Sequence, residues 1–507
     1  MAFTVLTIAM ISALLATRWL VHRAPAQREP SIVPITYRPG SAPAVPRVGG
    51  AAVFVAVLVA MAAAAIARAP GVAALFQHGR LYGGILAGAT LVLTVGLADD
   101  FLDLTPAVKF VAQGIAATFA CVGGLSLQRL SFGPHLALSP GWIGVPLTLF
   151  WIVAVMNAFN FIDGLDGLAS GIGIVGFGAT LVSALLLKRG DVAVVSIAVI
   201  GALFGFLRYN YAPARIYLGD CGSLFLGYML AVLSLVGATS PTTGSLVYVP
   251  VFALAVPLLD GAVAITRRWL RSAPIWRGDH RHIHHRVQAL GLSRRESLTV
   301  LMSAAGVVAC AGLMTAYARP GLFIVTAALA GAATVALIGF GLWRLDYYEF
   351  GAVRALAGVR PTAWRRHLSE EIRLREAERD IAGARSIDDL RSTLSRTALA
   401  FGLDRIEITR SQPKFKRSLQ SHLDIALTSY AERGSDVWNL RVWHGQAEQP
   451  QEEFVARVGA ALSDSCASWL RDFGVAPATP ADVPLQPTGT GRHRLSFPRA
   501  RRLLAKA

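Results

Sequence analysis

Residues 81–98, LYGGILAGATLVLTVGLA, carry no charged side chain and are followed at once by Asp99 and Asp100. A helix needs about 20 predominantly apolar residues to cross the hydrocarbon core of a bilayer. Apolar stretches of this kind recur along the first 343 residues, and we predict eleven spans, at 2–20, 49–67, 81–98, 106–124, 142–159, 168–187, 191–207, 222–238, 246–266, 297–317 and 321–343. The sequence therefore predicts an all-α polytopic membrane protein over residues 1–343.

The composition agrees with many membrane spans. Of the 507 residues, 54% are hydrophobic and only 16% are charged, against about 25% charged residues in a typical soluble domain. This composition excludes a disordered or fibrous chain. The four cysteines, at positions 121, 221, 310 and 466, are scattered singly, which argues against a disulfide framework or a cysteine metal site.

The distribution of basic residues predicts the sidedness of the chain. Loops after the odd-numbered spans carry sixteen lysines and arginines, and the opposite loops carry six. Because basic residues mark the cytoplasmic side, the start of the chain is predicted to lie outside and its tail in the cytoplasm. The first span has no basic region before it, so we predict an uncleaved anchor. The net charge of +17 thus indicates topology, and no nucleic-acid partner is predicted.

The first polar motif is DDFLD at 99–103, followed by Lys109. If the helix continues, Asp99 and Asp103 are four residues apart and face the same site. Adjacent carboxylates suit Mg²⁺, which takes oxygen ligands and keeps some of its waters. The lysine can offset phosphate charge. A capping role at a helix end is the alternative for these carboxylates.

The second motif is NAFNFIDGLDGLA at 157–169, between the fifth and sixth predicted spans. Asn157, Asn160, Asp163 and Asp166 supply oxygen atoms, and the glycines between them allow a ligand to approach closely. Asp166 alone could be the N-cap of the next helix. That alternative does not account for the two asparagines or for Asp163.

Two further motifs carry charge in the predicted cytoplasmic loops. IYLGDCGS at 216–223 precedes a helix, whose free N–H groups suit an anion. Asp220 would repel an anion unless a cation lies between them, so the motif predicts a metal-bridged diphosphate. DHRHIHHR at 279–286 lacks the cysteines and spacing of a zinc finger, and its side chains suit phosphate groups.

Together, the four motifs resemble the polyprenyl-phosphate N-acetylhexosamine-1-phosphate transferase superfamily, or glycosyltransferase 4 family. Their order is most similar to that of the WecA-like branch, which is related to the MraY-type translocases. The resemblance covers residues 1–343, and PRVGG at 46–50 also resembles the family's pattern.

This resemblance implies a Mg²⁺-dependent phosphotransferase, in which Mn²⁺ can substitute. It would transfer a HexNAc-1-phosphate, most naturally GlcNAc-1-phosphate, from a UDP-sugar to undecaprenyl phosphate and release UMP. The step initiates a cell-surface glycan, such as lipopolysaccharide or a cell-wall polymer, at the bacterial inner membrane, where membrane lipid surrounds the spans. The active site would lie on the cytoplasmic side. The resemblance leaves open whether the protein forms a homodimer. We favour direct attack by the lipid phosphate, with an aspartyl-phosphate intermediate as the alternative.

The resemblance also implies roles for individual residues. The catalytic set is Asp99, Asp100, Asp163, Lys109, His282, His284 and His285. The metal is assigned to Asp220 and Asn157. The substrate-binding set is Asn160, Gly164, Leu165, Asp166, Asn210, Tyr217, Ser223 and Arg286.

Two alternative functions remain at this stage. The first is the phospho-N-acetylmuramoyl-pentapeptide transferase of peptidoglycan synthesis, although its histidine motif usually has three consecutive histidines. The second, from another class, is a polytopic transporter of lipid-linked sugars. A transporter would more naturally carry charges at mid-bilayer, whereas here they lie at one face.

The composition changes after residue 343. We predict a helical connector at 344–383 and a small cytoplasmic α/β domain at 384–473, with a distant resemblance to GAF-like regulatory modules. Short strands are predicted at 405–409 and 437–443, and an apolar helical stripe at 454–470 is predicted to form core. Residues 474–507 are rich in proline and arginine and are predicted to be disordered.

Overall fold

A computed structural model describes the protein. The described residues are 1–23, 45–69, 71–131, 137–240, 244–246, 248–270, 282–344, 361–401, 403, 405–411, 422–430, 437–443, 476–477 and seven positions between 458 and 469. The chain divides into two compact units, Met1–Gly351 and Ala352–Ala507. The predicted tail at 474–507 lies almost wholly outside the described residues, as do positions 271–281.

The described part of the first unit is mainly helical. Its helices are α1 (Ala2–Arg23), α2 (Gly49–Ile66), α3 (Val72–Gln77), α4 (Gly79–Leu102), α5 (Pro106–Val122), α6 (Gly144–Ile162), α7 (Leu168–Leu186), α8 (Gly190–Asn210), α9 (Gly219–Ala238), α10 (Tyr248–Ala253), α11 (Ala255–Leu270), α12 (Ile283–Ala289), α13 (Arg294–Ala316) and α14 (Phe323–Arg344). Four short strands, β1 (Leu130–Ser131), β2 (Ala137–Leu138), β3 (Thr239–Ser240) and β4 (Gly244–Leu246), pair in the order β2-β1-β4-β3.

Nine helices in the described ranges are long and apolar enough to cross a membrane, which supports a multi-pass membrane protein. Two of the eleven predicted spans differ from such a helix. The span predicted at 106–124 is the shorter apolar helix α5. The span predicted at 246–266 is interrupted between α10 and α11. Pro257 explains the interruption, because it has no N–H to donate to the carbonyl of Ala253.

Helix α9 lies at the centre of this unit. In its apolar stretch 94% of the residues are buried, against 6% in α14. Small residues let neighbouring helices approach closely elsewhere in the bundle, as is common between membrane helices. At Gly201 of α8, a Cβ would lie 2.9 Å from the Cβ of Ala9 in α1. Close helix packing therefore positions the loops that join the spans.

A polar network ties three helices together near Asp191. This aspartate is 1% exposed and accepts a hydrogen bond from the Tyr82 hydroxyl at 2.8 Å. Arg189 donates to both carboxylate oxygens, at 3.0 and 2.8 Å, and to the Val236 carbonyl at 3.0 Å. The network thus joins α4, the start of α8 and the end of α9.

Replacing Asp191 with Asn is expected to lower the free energy of unfolding by roughly 2 kcal/mol, because Arg189 keeps its charge and loses its anion. The melting temperature of the protein in detergent measures this effect. Lys188→Gln is the matched control, since it removes a neighbouring exposed charge. Equal melting temperatures for the two variants would contradict the prediction.

The described part of the second unit contains helices α15 (Pro361–Ala382) and α16 (Ile387–Phe401) and strands β5 (Arg405–Ser411), β6 (His422–Tyr430), β7 (Val437–Trp443) and β8 (Ala476–Pro477). The strand order is β5-β7-β6-β8, with antiparallel pairs. Strand β6 was not among the sequence predictions.

The core of this unit gathers the apolar residues of α16 and of the predicted stripe. Val458, Leu462, Cys466 and Trp469 are buried in one cluster, as predicted, and the Trp469 indole donates to the Ala384 carbonyl at 2.7 Å. The other stripe positions, at 454, 455 and 470, lie outside the described residues. The stripe is therefore core wherever it is described.

Candidate active site

One cavity of about 310 Å³ collects polar side chains from several segments of the first unit. It is lined by Arg47, Asp100, Asn160, Asp163, Gly164, Leu165, Asp166, Asn210, Tyr217, Gly219, Asp220, His285, Gln288 and Arg294. Ten of the seventeen predicted site residues are in this lining. The motifs at 99–103, 157–169, 216–223 and 279–286 therefore each contribute to one place in the fold.

Lys109 joins two carboxylates beside the cavity. Its ammonium group lies 2.6 Å from Asp99 Oδ2 and 2.9 Å from Asp220 Oδ2. Asp99 also accepts a hydrogen bond from the Leu104 backbone N–H at 2.8 Å. The lysine cation thus lets two carboxylates from α4 and α9 lie close together without strong repulsion.

Asp100 caps the start of α9. Its carboxylate accepts the backbone N–H groups of Asp220 at 2.8 Å and Cys221 at 3.1 Å, which would otherwise lack helical partners. Gly219 has a positive φ of 76°, which a glycine adopts readily, and this turn brings Asp220 against α4. Asp100 therefore lines the cavity and also fixes the position of Asp220.

The expected i, i+4 pairing of Asp99 with Asp103 is wrong. Helix α4 ends at Leu102, and Asp103 is its exposed C-cap residue with a φ of 49°. The Asp103 N–H bonds to the Asp99 carbonyl, while Pro106 starts α5. Because the backbone turns at this point, Asp103 does not share a helix face with Asp99.

Asp163 and Asp166 lie in the turn between α6 and α7 and line the cavity. Burial raises the pKa of Asp163 well above its usual range, and the charges of Asp220 and Asp100 raise it further. Asp166 accepts the Ala214 N–H at 3.1 Å and the Arg294 guanidinium at 3.2 Å. The N-cap of α7 is a glycine, so the capping interpretation of Asp166 is wrong.

Three asparagines take different positions around the cavity. Asn160 lines it and donates to the Ser223 hydroxyl at 3.0 Å, so Ser223, which is buried, supports the wall from behind. Asn210 also lines it, while its amide donates to the Ile216 carbonyl at 2.9 Å. Asn157 is not part of the lining, and its amide donates to Gln113 at 2.6 Å. Gln113 was not singled out from the sequence.

The three histidines predicted to be catalytic lie in different environments. His285 lines the cavity, whereas His282 contacts Asp260 at 3.0 Å. His284 is 1% exposed, its ring packs against Gly164, and burial lowers its pKa to about 3. Arg286 lies on α12 outside the lining. Of this motif, only His285 reaches the cavity among the described residues.

Four cavity residues have no individual role in the sequence analysis: Arg47, Gly219, Gln288 and Arg294. Arg47 lies in the PRVGG motif, which was noted as a family pattern without a role. Arg294 is the first residue of α13, directly after the N-cap Ser293. No periodicity marks these positions, because their loops meet only in the folded chain.

The donor set of the cavity fits a hard divalent cation. Asp220, Asp163 and Asn160 offer carboxylate and amide oxygens, the ligand type that Mg²⁺ prefers. Among the described residues, no group of three or more His, Cys, Asp or Glu side chains is arranged as a metal cage. Mg²⁺ commonly keeps waters and shares its coordination with substrate phosphates, so a site for it does not require three protein ligands of these types.

The fold and this site define a multi-pass membrane protein with an oxygen-rich cavity at the ends of its helices. A family model, glycosyl transferase family 4, matches residues 82–238. The chain is 39% identical over 258 residues to a probable undecaprenyl-phosphate N-acetylglucosaminyl 1-phosphate transferase of Bacillus subtilis, covering 50% of this chain and 69% of that protein. The chain belongs to glycosyl transferase family 4.

The chain is also similar to two further proteins. The chain is 31% identical over 297 residues to a decaprenyl-phosphate N-acetylglucosaminephosphotransferase of Mycobacterium leprae, covering 54% of this chain and 74% of that protein. It is 37% identical over 153 residues to a phospho-N-acetylmuramoyl-pentapeptide-transferase of Halalkalibacterium halodurans, covering 28% of this chain and 47% of that protein. The family resemblance drawn from the motifs is thereby confirmed.

Proposed function

We propose that the protein transfers GlcNAc-1-phosphate from UDP-GlcNAc to undecaprenyl phosphate and releases UMP, the initiating step of a cell-surface glycan. The observation that carries the proposal is that Asp100, Asp163 and Asp220 line the same cavity, in a chain of this family. The relatives named as GlcNAc-1-phosphate transferases of two polyprenyl phosphates support this substrate pair.

The residues around the cavity suggest how the reaction proceeds. Asp220 and Asn160 would hold Mg²⁺, which when bound neutralises the donor diphosphate and stabilises the departing UMP oxygen. Lys109 keeps Asp220 in position through its ion pair. Tyr217 and Asp166 bind the nucleotide end of the donor. The lipid phosphate then attacks the sugar-bearing β-phosphorus directly, since the protein's own task is to position two anionic groups.

We also propose how the protein lies in the membrane. We place the cavity and the second unit on the cytoplasmic side of a bacterial inner membrane, supported by the excess of basic residues in the corresponding loops. We count eleven crossings, with α5 and the interrupted pair α10 and α11 as the two that depart from a long straight helix. The second unit is assigned as a small α/β domain. We also propose that the glycan is lipopolysaccharide or a cell-wall polymer, and that the protein forms a homodimer.

The alternative donor is UDP-MurNAc-pentapeptide, which the relative from Halalkalibacterium halodurans favours. That relative matches a smaller share of this chain than the GlcNAc-1-phosphate transferases do. A donor comparison separates the two reactions, because both release UMP from their own donor.

Purified protein with undecaprenyl phosphate and Mg²⁺ is expected to release UMP from UDP-GlcNAc, and to do so at least about 100-fold faster than from UDP-MurNAc-pentapeptide, since the second donor carries a bulky lactyl-peptide group on the sugar ring that the first one lacks. EDTA is expected to abolish the release and excess Mg²⁺ to restore it. UMP is measured by chromatography. A faster reaction with the pentapeptide donor would favour the alternative, and no UMP from either donor would contradict transfer.

A further inference from the structure

The backbone of the PRVGG motif is bound to the loop before α9. Tyr217 donates its N–H to the Pro46 carbonyl at 2.8 Å, and its carbonyl accepts from Gly49 at 3.0 Å. Gly50 donates to the Leu218 carbonyl at 2.9 Å. These three hydrogen bonds hold residue 47 in one place, directly beside the turn that positions Asp220.

Within the described part of the protein, the hydrogen bonds of Arg47 are made by its backbone. Its carbonyl packs against Gly219 and accepts a weak bond from the Cys221 thiol at 3.8 Å. Its guanidinium makes no hydrogen bond or ion pair with a described residue. Arg47 nevertheless lines the cavity, and its positive charge acts on another lining residue, Asp163, whose pKa it lowers against the effect of burial.

Other cations at the cavity are already paired. Lys109 is bound to Asp99 and Asp220, and Arg294 is bound to Asp166. An arginine held at a fixed backbone position beside the cavity, with a planar fork of donors at the end of its side chain, is suited to phosphate oxygens. Both substrates of the proposed reaction bring phosphate groups to this place.

We propose that Arg47 binds non-bridging phosphate oxygens of a substrate, as a further binding residue of this site. The inference rests on the proposed function for the identity of the substrates, and the phosphate chemistry is common to the donor diphosphate and the lipid phosphate. Lysine at this position would keep the charge but lose the two-pronged geometry. Arg47→Lys should therefore weaken substrate binding, but less than a neutral side chain at this position does.

The test compares Arg47→Gln, Arg47→Lys and the wild type in full-length protein in detergent. Dissociation constants for uridine, UMP, UDP and UDP-GlcNAc are measured with Mg²⁺ present, together with the KM for undecaprenyl phosphate. Arg208→Gln is the matched control, because Arg208 is an exposed arginine at the end of α8 that does not line the cavity. Melting temperatures confirm that each variant is folded.

If Arg47 binds the donor, Arg47→Gln weakens UDP-GlcNAc binding about 10-fold to 100-fold, the range expected for a lost charge-assisted hydrogen bond, and leaves uridine binding unchanged. If it binds the acceptor, donor binding stays unchanged and the KM for undecaprenyl phosphate rises by a similar factor. In either case, the constant measured for Arg47→Lys lies between that of Arg47→Gln and that of the wild type.

The proposal is overturned if both substrates bind Arg47→Gln as well as they bind Arg208→Gln. It is also overturned if uridine binding falls as much as UDP-GlcNAc binding, because the side chain would then shape the pocket without contacting phosphate. The nucleotide series remains informative even if wild-type protein releases no UMP, so failure of the proposed reaction is separate from failure of this assignment.

Discussion

Asp220→Asn is expected to lower the rate of UMP release at least about 1,000-fold, because it removes a charge from the site where the donor diphosphate is proposed to be held through a metal. The protein should still fold, since Lys109 keeps its pairing with Asp99 at 2.6 Å and Asp100 still caps α9 through two backbone bonds. Turnover is measured with UDP-GlcNAc, and folding by the melting temperature.

The matched control is Asp103→Asn. Asp103 belongs to the same acidic motif as Asp99 and Asp100, but it is exposed at the end of α4 and does not line the cavity. Asparagine accepts its positive φ readily. This variant should keep wild-type turnover. Equal losses in the two variants, or full activity in Asp220→Asn, would remove Asp220 from the proposed metal site.

Gly50→Ala is expected to prevent formation of the folded protein. A Cβ at this position would overlap the backbone N–H of Gly222 and lie 2.7 Å from the carbonyl carbon of Cys221. Backbone atoms at the start of α9 cannot move aside as a side chain can, so α2 and α9 would have to separate. We expect the loss of at least about 4 kcal/mol, the range reached when a substitution disrupts a packed core.

The measurement is the yield of monodisperse protein in detergent, followed by its melting temperature. Gly178→Ala is the control, since a Cβ at Gly178 in α7 meets no atom within 4 Å among the described residues. Alanine has the higher helix propensity, so this variant should be at least as stable as the wild type. A Gly50→Ala protein with normal yield and melting temperature would show that α2 and α9 tolerate a wider separation.

Motif chemistry selected ten of the residues that line the cavity, because each motif contains polar side chains of the kind that a diphosphate site needs. It failed where the backbone changes direction. Asp103 was placed on the face of Asp99 by assuming a continuous helix, whereas α4 ends one residue earlier. His282 and His284 were grouped with His285 by proximity in sequence. Neither lines the cavity, since His284 is buried and His282 contacts Asp260, and their catalytic role stays a prediction.

The linear pattern of apolar stretches was sufficient to define a multi-pass helical membrane protein, because the length and polarity of a span are local properties. The order of the acidic, asparagine and histidine motifs was likewise sufficient to place the chain in its family. Which side chains share the cavity was decided only by tertiary structure. Arg47 reaches it because backbone hydrogen bonds join its loop to the loop before α9. Arg294 reaches it because it pairs with the Asp166 carboxylate. These contacts join segments that are distant in sequence, so no local pattern predicts them.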